Sequence, residues 1–168
     1  MLSVIKSMQE LNTEQLMAVY RESNRENGKE FFPDHTPNKQ LCLAEDYFLD
    51  YLRQDFFRQA GALYCLWSDG GRYQSALRLE PYADGLLLQA LETAPDARRK
   101  GYARALMEET ISYLRQTGTR TLYSHVSKGN LPSLNLHKAC GFVVHSDFAT
   151  YIDGTVTQSS VTLRYTVQ

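Results

Sequence analysis

Apolar positions recur along the chain with two different periods, and the switching between them lays out the elements. Leu16, Val19 and Tyr20 follow Asn12-Thr13-Glu14-Gln15, where Asn12 or Thr13 can cap a helix. The spacing predicts a first helix reaching about Asn27-Gly28, with Gly28 at its C′ position. Pro33 and Pro37 mark Lys29 to Gln40 as loop. Ala44, Phe48, Tyr51, Leu52 and Phe56 return to helical spacing and predict a second helix over Cys42 to Gln59. From Ala62 the pattern turns strand-like: Ala62 to Trp67, a tight turn at Asp69-Gly70-Gly71, a returning strand Arg72 to Glu80, a turn at Pro81 to Gly85, and a third strand Leu86 to Thr93. Ala103, Leu106, Met107, Thr110, Ile111 and Leu114 form one helical stripe that Gly118 stops. Leu122 to Val126 reads as a strand, and Asn130 caps a short helix that tolerates Pro132 in its first turn and ends at Gly141. Phe142 to Tyr151, the turn Asp153-Gly154 and Val156 to Val167 read as a closing hairpin.

This order predicts a mixed α/β (α+β) fold with a central, mostly antiparallel twisted sheet flanked by helices. The strand–helix–strand unit around residues 86 to 126 should be a right-handed crossover, making one parallel strand pair. No repeat, low-complexity stretch or linker divides the sequence, so a single domain over residues 1–168 is expected.

Composition narrows the function classes. The formal charge is −1, with no global attraction to nucleic acid or to an anionic membrane surface. No run approaches the roughly 18 apolar residues of a membrane span, and the N-terminus has no secretory pattern. Cys42, Cys65 and Cys140 are widely spaced, without metal-ligand spacing, which points to a reducing compartment. A cytoplasmic protein with no metal site is expected.

The chain is organised around Leu86 to Leu114: strand, basic turn, helix. A helix start leaves backbone N–H groups without partners and carries partial positive charge, so anions bind there. Gly101 lets backbone approach a ligand closely, and Arg98, Arg99 and Lys100 add attraction for phosphate. Arg98 to Arg104 is therefore a candidate pyrophosphate site, although on composition a solvated basic turn capping a helix would explain it too. A dinucleotide fingerprint would need more than the one glycine present. The run Arg98-Arg99-Lys100-Gly101-Tyr102-Ala103 resembles the R/Q-x-x-G-x-G/A motif of the GNAT superfamily, the Gcn5-related N-acetyltransferases, between the strand and helix that motif requires. A second stretch, Asn130, Ser133, Leu136, His137, Gly141 and Phe142, resembles that family's N-x-x-S-x-x-L-Y/H-x-x-x-G-F signature.

The resemblance covers nearly the whole chain by element order and implies the GNAT acyl-CoA N-acyltransferase fold. It implies acetyl-CoA as cofactor, with CoA as product. Arg98, Arg99, Lys100, Gly101, Tyr102, Ala103 and Arg104 would wrap its pyrophosphate. Asn130, Ser133 and His137 would hold the far side of the pantetheine arm, and Leu91 and Thr93 would offer backbone donors to the thioester carbonyl. In such chemistry an amine attacks the thioester carbonyl. The amine must be neutral, so a base has to remove its proton; the developing oxyanion wants N–H donors, and the leaving thiolate wants a proton. His137 is the candidate for that last proton. Glu80, Glu92 and His125 are the candidate bases. With period-two alternation Glu92 would share a face with Leu88 and Ala90, and Gln89 with Leu87 and Leu91. The acceptor site should draw on Phe31 to Asn38 and the first two helices, with Tyr64, Trp67, Tyr73 and Tyr82 as aromatic walls or ordinary core. Cys140 is expected to be an inert thiol.

Three functions follow as expectations. The first is transfer of an acetyl group to the primary amine of a small or amino-acid-like acceptor. The alternatives are a protein or peptide N-acetyltransferase and a non-catalytic acyl-CoA sensor. Dimers are frequent in the family, so a homodimer is among the expectations.

Overall fold

The computed structural model describes residues 1–167. Seven strands form one sheet: β1 (Leu2–Ile5), β2 (Leu63–Asp69), β3 (Arg72–Tyr82), β4 (Gly85–Thr93), β5 (Thr121–Ser127), β6 (Val143–Ser146) and, after two short strands, β9 (Ser160–Thr166). Their spatial order is β1-β2-β3-β4-β5-β9-β6. Every neighbouring pair is antiparallel except β4–β5. The short strands β7 (Ala149–Thr150) and β8 (Val156–Thr157) pair only with each other. The mixed fold with one parallel pair is thus as the sequence predicts.

Both faces of the sheet are covered because β3 alternates strictly. Leu77 and Leu79 point toward α4 (Tyr102–Thr117), whose stripe Leu106, Met107, Ile111 and Leu114 is buried against them. Ala76 on the other face joins Leu16, Val19, Leu52, Phe56, Tyr64 and Leu66, under α1 (Thr13–Val19), α2 (Arg21–Phe31) and α3 (Pro37–Gln54). Each fully buried leucine contributes about 1.5–3 kcal/mol, so both layers are needed.

The N-terminal third departs from the expected helices. The first helix breaks at Tyr20, whose ψ of 14 takes it out of helical geometry. Gly28 lies inside α2, not past its end. A Cβ there would sit 2.6 Å from the Gln40 carbonyl oxygen, so this glycine sets how closely α2 and α3 pack. The second helix begins earlier than expected, since Pro37 fits the first helical turn, and it ends at Gln54 before a 3₁₀ turn. Edge strand β1, four residues long, is too short to give a periodic signal. The closing hairpin forms, with β6 antiparallel to β9, but each of its predicted strands is interrupted, the first into β6 and β7 and the second into β8 and β9.

Candidate active site: a splayed strand pair between two cavities

β4 and β5 are paired only at Leu86–Leu122, Leu87–Tyr123 and Leu88–Ser124. Beyond Leu88 the strands separate, and a small cavity lined by Gln89, Ala90, Leu91, His125, Val126 and Ser127 opens between them. Backbone groups of β4 on that edge therefore have no partner on β5. On its other side β4 carries a bulge. Arg78 of β3 faces Gln89 while Ala76 faces Glu92, so β4 spends three residue steps against two. Ala90, with φ +50, takes the extra position. Its carbonyl accepts a hydrogen bond from Tyr20 Oη at 2.6 Å, which ties α1 and α2 to the bulge.

The bulge inverts the alternation after it. Leu88 packs on the α4 side, but Glu92 lies opposite Ala76 and faces α2 and α3. The period-two expectation that Leu88 and Glu92 share a face fails for this reason. Glu92 consequently lines two cavities. One, about 590 Å³, runs past Leu91, Thr93, Arg98, Ala103, Asn130 and Ser133, between the start of α4 and α5 (Leu131–Ala139). The other, about 430 Å³, is walled by Tyr20, Phe31, Phe32, Tyr47, Phe48 and Tyr51 with Arg78 below. Ser23 and Glu92 belong to both. Burial pushes the Glu92 carboxyl above the ordinary glutamate range. The Ser23 hydroxyl and the Arg98 cation partly offset that, while Glu26 and Glu22 add to it.

The basic turn opens the larger cavity. Gly101 caps α4 in the left-handed region with φ +85, and a Cβ built there meets nothing within 4 Å. A glycine with open space on its missing Cβ, free helical N–H groups behind it and cations around it fits a pyrophosphate. Arg98 lines the cavity and pairs with Glu22 of α2 at 2.5 Å. Arg99 and Lys100 are exposed in the turn, and Arg99 also holds a positive φ of 63. Two turn residues point elsewhere: Tyr102 Oη donates to Asp69 Oδ2 at 2.6 Å, and Arg104 Nε donates to Glu108 at 2.8 Å. Asn130 caps α5 by accepting from the Ser133 N–H at 3.2 Å, and both residues line the cleft.

The structure does not bring His137, Glu80 or a free His125 to the junction. His137 is 1% exposed and lines none of the three cavities. Its Nδ1–H donates to the Ser133 carbonyl at 2.8 Å, leaving Nε2 buried without a partner. Burial lowers its pKa, so the imidazole is neutral at pH 7. Leu136, one residue earlier on α5, takes the cleft-facing position instead. Glu80, 4% exposed, lies opposite Leu87 near the start of β4 and accepts from Tyr51 Oη at 2.7 Å. His125 lines the splay, but its Nε2–H is committed to the Thr150 carbonyl at 3.0 Å and its Nδ1 meets Thr162 Oγ1 at 3.1 Å. Burial lowers its pKa too. Of the aromatic residues named from the sequence, Phe31 and Phe32 line the smaller, aromatic cavity; Tyr64, Trp67, Tyr73 and Tyr82 line none of the three. Tyr20, Ser23, Phe48 and Tyr51 lie on the two helices expected to border an acceptor but were not singled out, and Arg78 was missed, since its spacing signals only a strand.

Comparisons with known proteins agree with this geometry. The model of the acetyltransferase (GNAT) family matches residues 14–142. The chain belongs to the GNAT family. Among solved structures it resembles the ribosomal-protein-S18-alanine N-acetyltransferase of Escherichia coli, at 19% identity and a TM-score of 0.62 over 100% of this chain and 95% of that one. It also resembles the PaiA N-acetyltransferase of Thermoplasma acidophilum in complex with coenzyme A, at 16% identity and a TM-score of 0.66 over 99% of each chain. A third is the spermidine N-acetyltransferase of Vibrio cholerae with CoA and spermine, at 14% identity and a TM-score of 0.62 over 99% of this chain and 95% of that one. At these identities the likeness is one of fold. Among curated proteins no match is found. Among the described residues no helix is long and apolar enough to cross a membrane, and no cluster of metal-ligating side chains occurs.

Two predictions concern the cofactor side. Gly101→Val forces a β-branched residue into a left-handed backbone, where strain is on the order of 1–3 kcal/mol. The turn is expected to rearrange and weaken CoA binding about tenfold or more while the fold persists. Calorimetric titration beside a melting curve checks this, and unchanged CoA affinity would remove the turn from the site. Glu22→Gln releases Arg98 from a half-exposed ion pair worth about 0.2–1 kcal/mol. CoA should then bind up to about fivefold more tightly at low salt, with the gain shrinking as salt rises. Weaker binding would show that Glu22 does not compete for Arg98.

Proposed function

We propose that this chain is a single-domain, cytoplasmic, acetyl-CoA-dependent N-acetyltransferase that acetylates the primary amine of a small or amino-acid-like acceptor by direct attack. The observation that carries it is Glu92: a carboxylate with a raised pKa, set by the Ala90 bulge where the aromatic cavity meets the cofactor cleft.

Acetyl-CoA supplies an acyl group activated as a thioester. The turn around Gly101, with Arg98, Arg99, Lys100 and the first N–H groups of α4, holds its pyrophosphate. Ala103, Asn130 and Ser133 flank the pantetheine arm. The unpaired edge of β4 at Leu91 and Thr93 offers N–H donors where negative charge develops on the carbonyl oxygen. Glu92 accepts the proton of the amine, directly or through one water, and its raised pKa brings it nearer to the basicity that task needs; as the C–N bond forms the C–S bond breaks, and the departing sulfur takes its proton from solvent or from the protonated Glu92. The aromatic walls exclude water from the attacking nitrogen.

The inward position of His137 leaves the sequence-named proton donor outside the cleft, and this favours a second reading, an acyl-CoA sensor without turnover. Calorimetric titration with acetyl-CoA, CoA and NAD, followed by thiol release in the presence of an amine panel, separates the readings. The proposal expects both acyl-CoA and CoA to bind, NAD not to bind, and thiol release to depend on amine. Tight acetyl-CoA binding with no amine-dependent release would favour the sensor.

A further inference from the structure

Arg78 stands out in the smaller cavity. Its guanidinium lies 4.9 Å from the Tyr51 ring centroid and 5.8 Å from those of Phe48 and Phe56. Its Nε is buried with no hydrogen-bond partner. Among the described residues no carboxylate forms an ion pair with it within 4 Å, and Glu80, two positions along the same strand, accepts from Tyr51 instead. Arginine does not lose its proton inside proteins. The fold therefore keeps a permanent cation among aromatic rings in an open cavity with no counter-ion of its own.

From this we infer that the acceptor is an amino acid or a close analogue, with its carboxylate on Arg78, its amine at Glu92 and a bulky apolar body among the rings. The inference rests on the acetyltransferase reading and narrows it. A planar guanidinium matches a carboxylate in a two-pronged pair, which a lone ammonium cannot do. Arg78 stands two positions along β3 from Ala76, the residue opposite Glu92. That is about 7 Å of strand, a gap that one small zwitterion and the long arginine side chain span together. Tyr20 lines the same cavity as Arg78 and Glu92. A polyamine would bring a second cation against Arg78. A phosphate dianion would bring two negative charges beside Glu92 with one cation to meet them. The walls of Tyr20, Phe48 and Tyr51 suit an aromatic or branched side chain.

The test compares matched pairs on the full chain loaded with CoA: L-phenylalanine against phenethylamine, L-tyrosine against tyramine, and L-leucine against isoamylamine. Binding is read by calorimetry, and turnover with acetyl-CoA by thiol release. The acids should bind about tenfold or more tightly than the amines that lack the carboxylate. In Arg78→Gln that preference should vanish, with acetyl-CoA affinity unchanged. Equal or tighter binding of the amines, or no binding of any acid by a protein that binds acetyl-CoA, overturns the inference and leaves the acetyltransferase reading standing. A preference that survives Arg78→Gln also overturns it. Failure to bind acetyl-CoA overturns both. The wild-type comparison needs no variant, so a misfolded Arg78→Gln protein does not shield the inference.

Discussion

Glu92→Gln is expected to lower kcat by about a hundredfold to ten-thousandfold, the range for loss of a positioned general base, while acetyl-CoA affinity holds. The side chain keeps its size, and only the proton acceptor is lost. Wild-type activity should fall on acidification through a pKa above the ordinary glutamate value of about 4.3, because a protonated carboxyl cannot accept the amine proton. That acid limb should be missing from the residual activity of the variant. The stability consequence runs the other way. A carboxyl with a raised pKa binds more protons folded than unfolded, so stability declines as pH rises from the unfolded value through the raised folded one. The loss is complete once the pH stands above the raised folded value, and Glu92→Gln should therefore melt slightly higher than wild type there. An active variant with an unchanged acid limb would remove Glu92 from the chemistry.

Gly85→Ala is expected to destabilise the protein by about 3 kcal/mol, a drop of roughly 6–12 °C in melting temperature for a domain of this size. A Cβ at Gly85 would lie 2.1 Å from the Thr121 carbonyl oxygen and 2.8 Å from its carbon. Both are backbone atoms, so no side-chain movement relieves the contact. The next residues, Leu86 and Leu122, begin the three parallel pairs that anchor the splay. Neighbouring Asp84 accepts from Tyr123 Oη at 2.7 Å and Thr121 Oγ1 at 3.3 Å, ties that depend on the same close approach. The variant should lose acetyl-CoA binding along with stability, as the cleft depends on where β4 and β5 part. Melting curves check the first effect and titration the second; a variant that melts within about 2 °C of wild type would show that the two strands can move apart at little cost.

The consequences of these two substitutions differ in how far they could be read from the sequence. Gly85 was legible as a turn glycine, but its role is set by a strand 36 residues further on, and no local pattern reports that approach. Glu92 was legible as a candidate base, yet the expected alternation would have pointed it to the α4 side. A one-residue bulge reverses every side chain beyond it, and Ala90, a residue with no turn preference, gives no warning of it. The bulge is fastened by Tyr20, 70 residues away in sequence. His137 illustrates the opposite limit. The motif placed it on the correct helix, but within one turn the cleft took Leu136, and the histidine turned to the core beside Phe142, 5.1 Å between ring centroids.

The sequence by itself determined the order of elements, the parallel crossover, the glycine turn at the head of α4 and the family. Each of these rests on periodicity, caps and glycines within a window of a few turns, where local physics dominates. Only the tertiary structure decided which carboxylate stands where the two cavities meet and which aromatic rings wall the smaller one. It also decided that Arg78 stands among them without a counter-ion. Those features arise where segments far apart in sequence meet, and burial, bulge geometry and charge pairing there belong to no single segment.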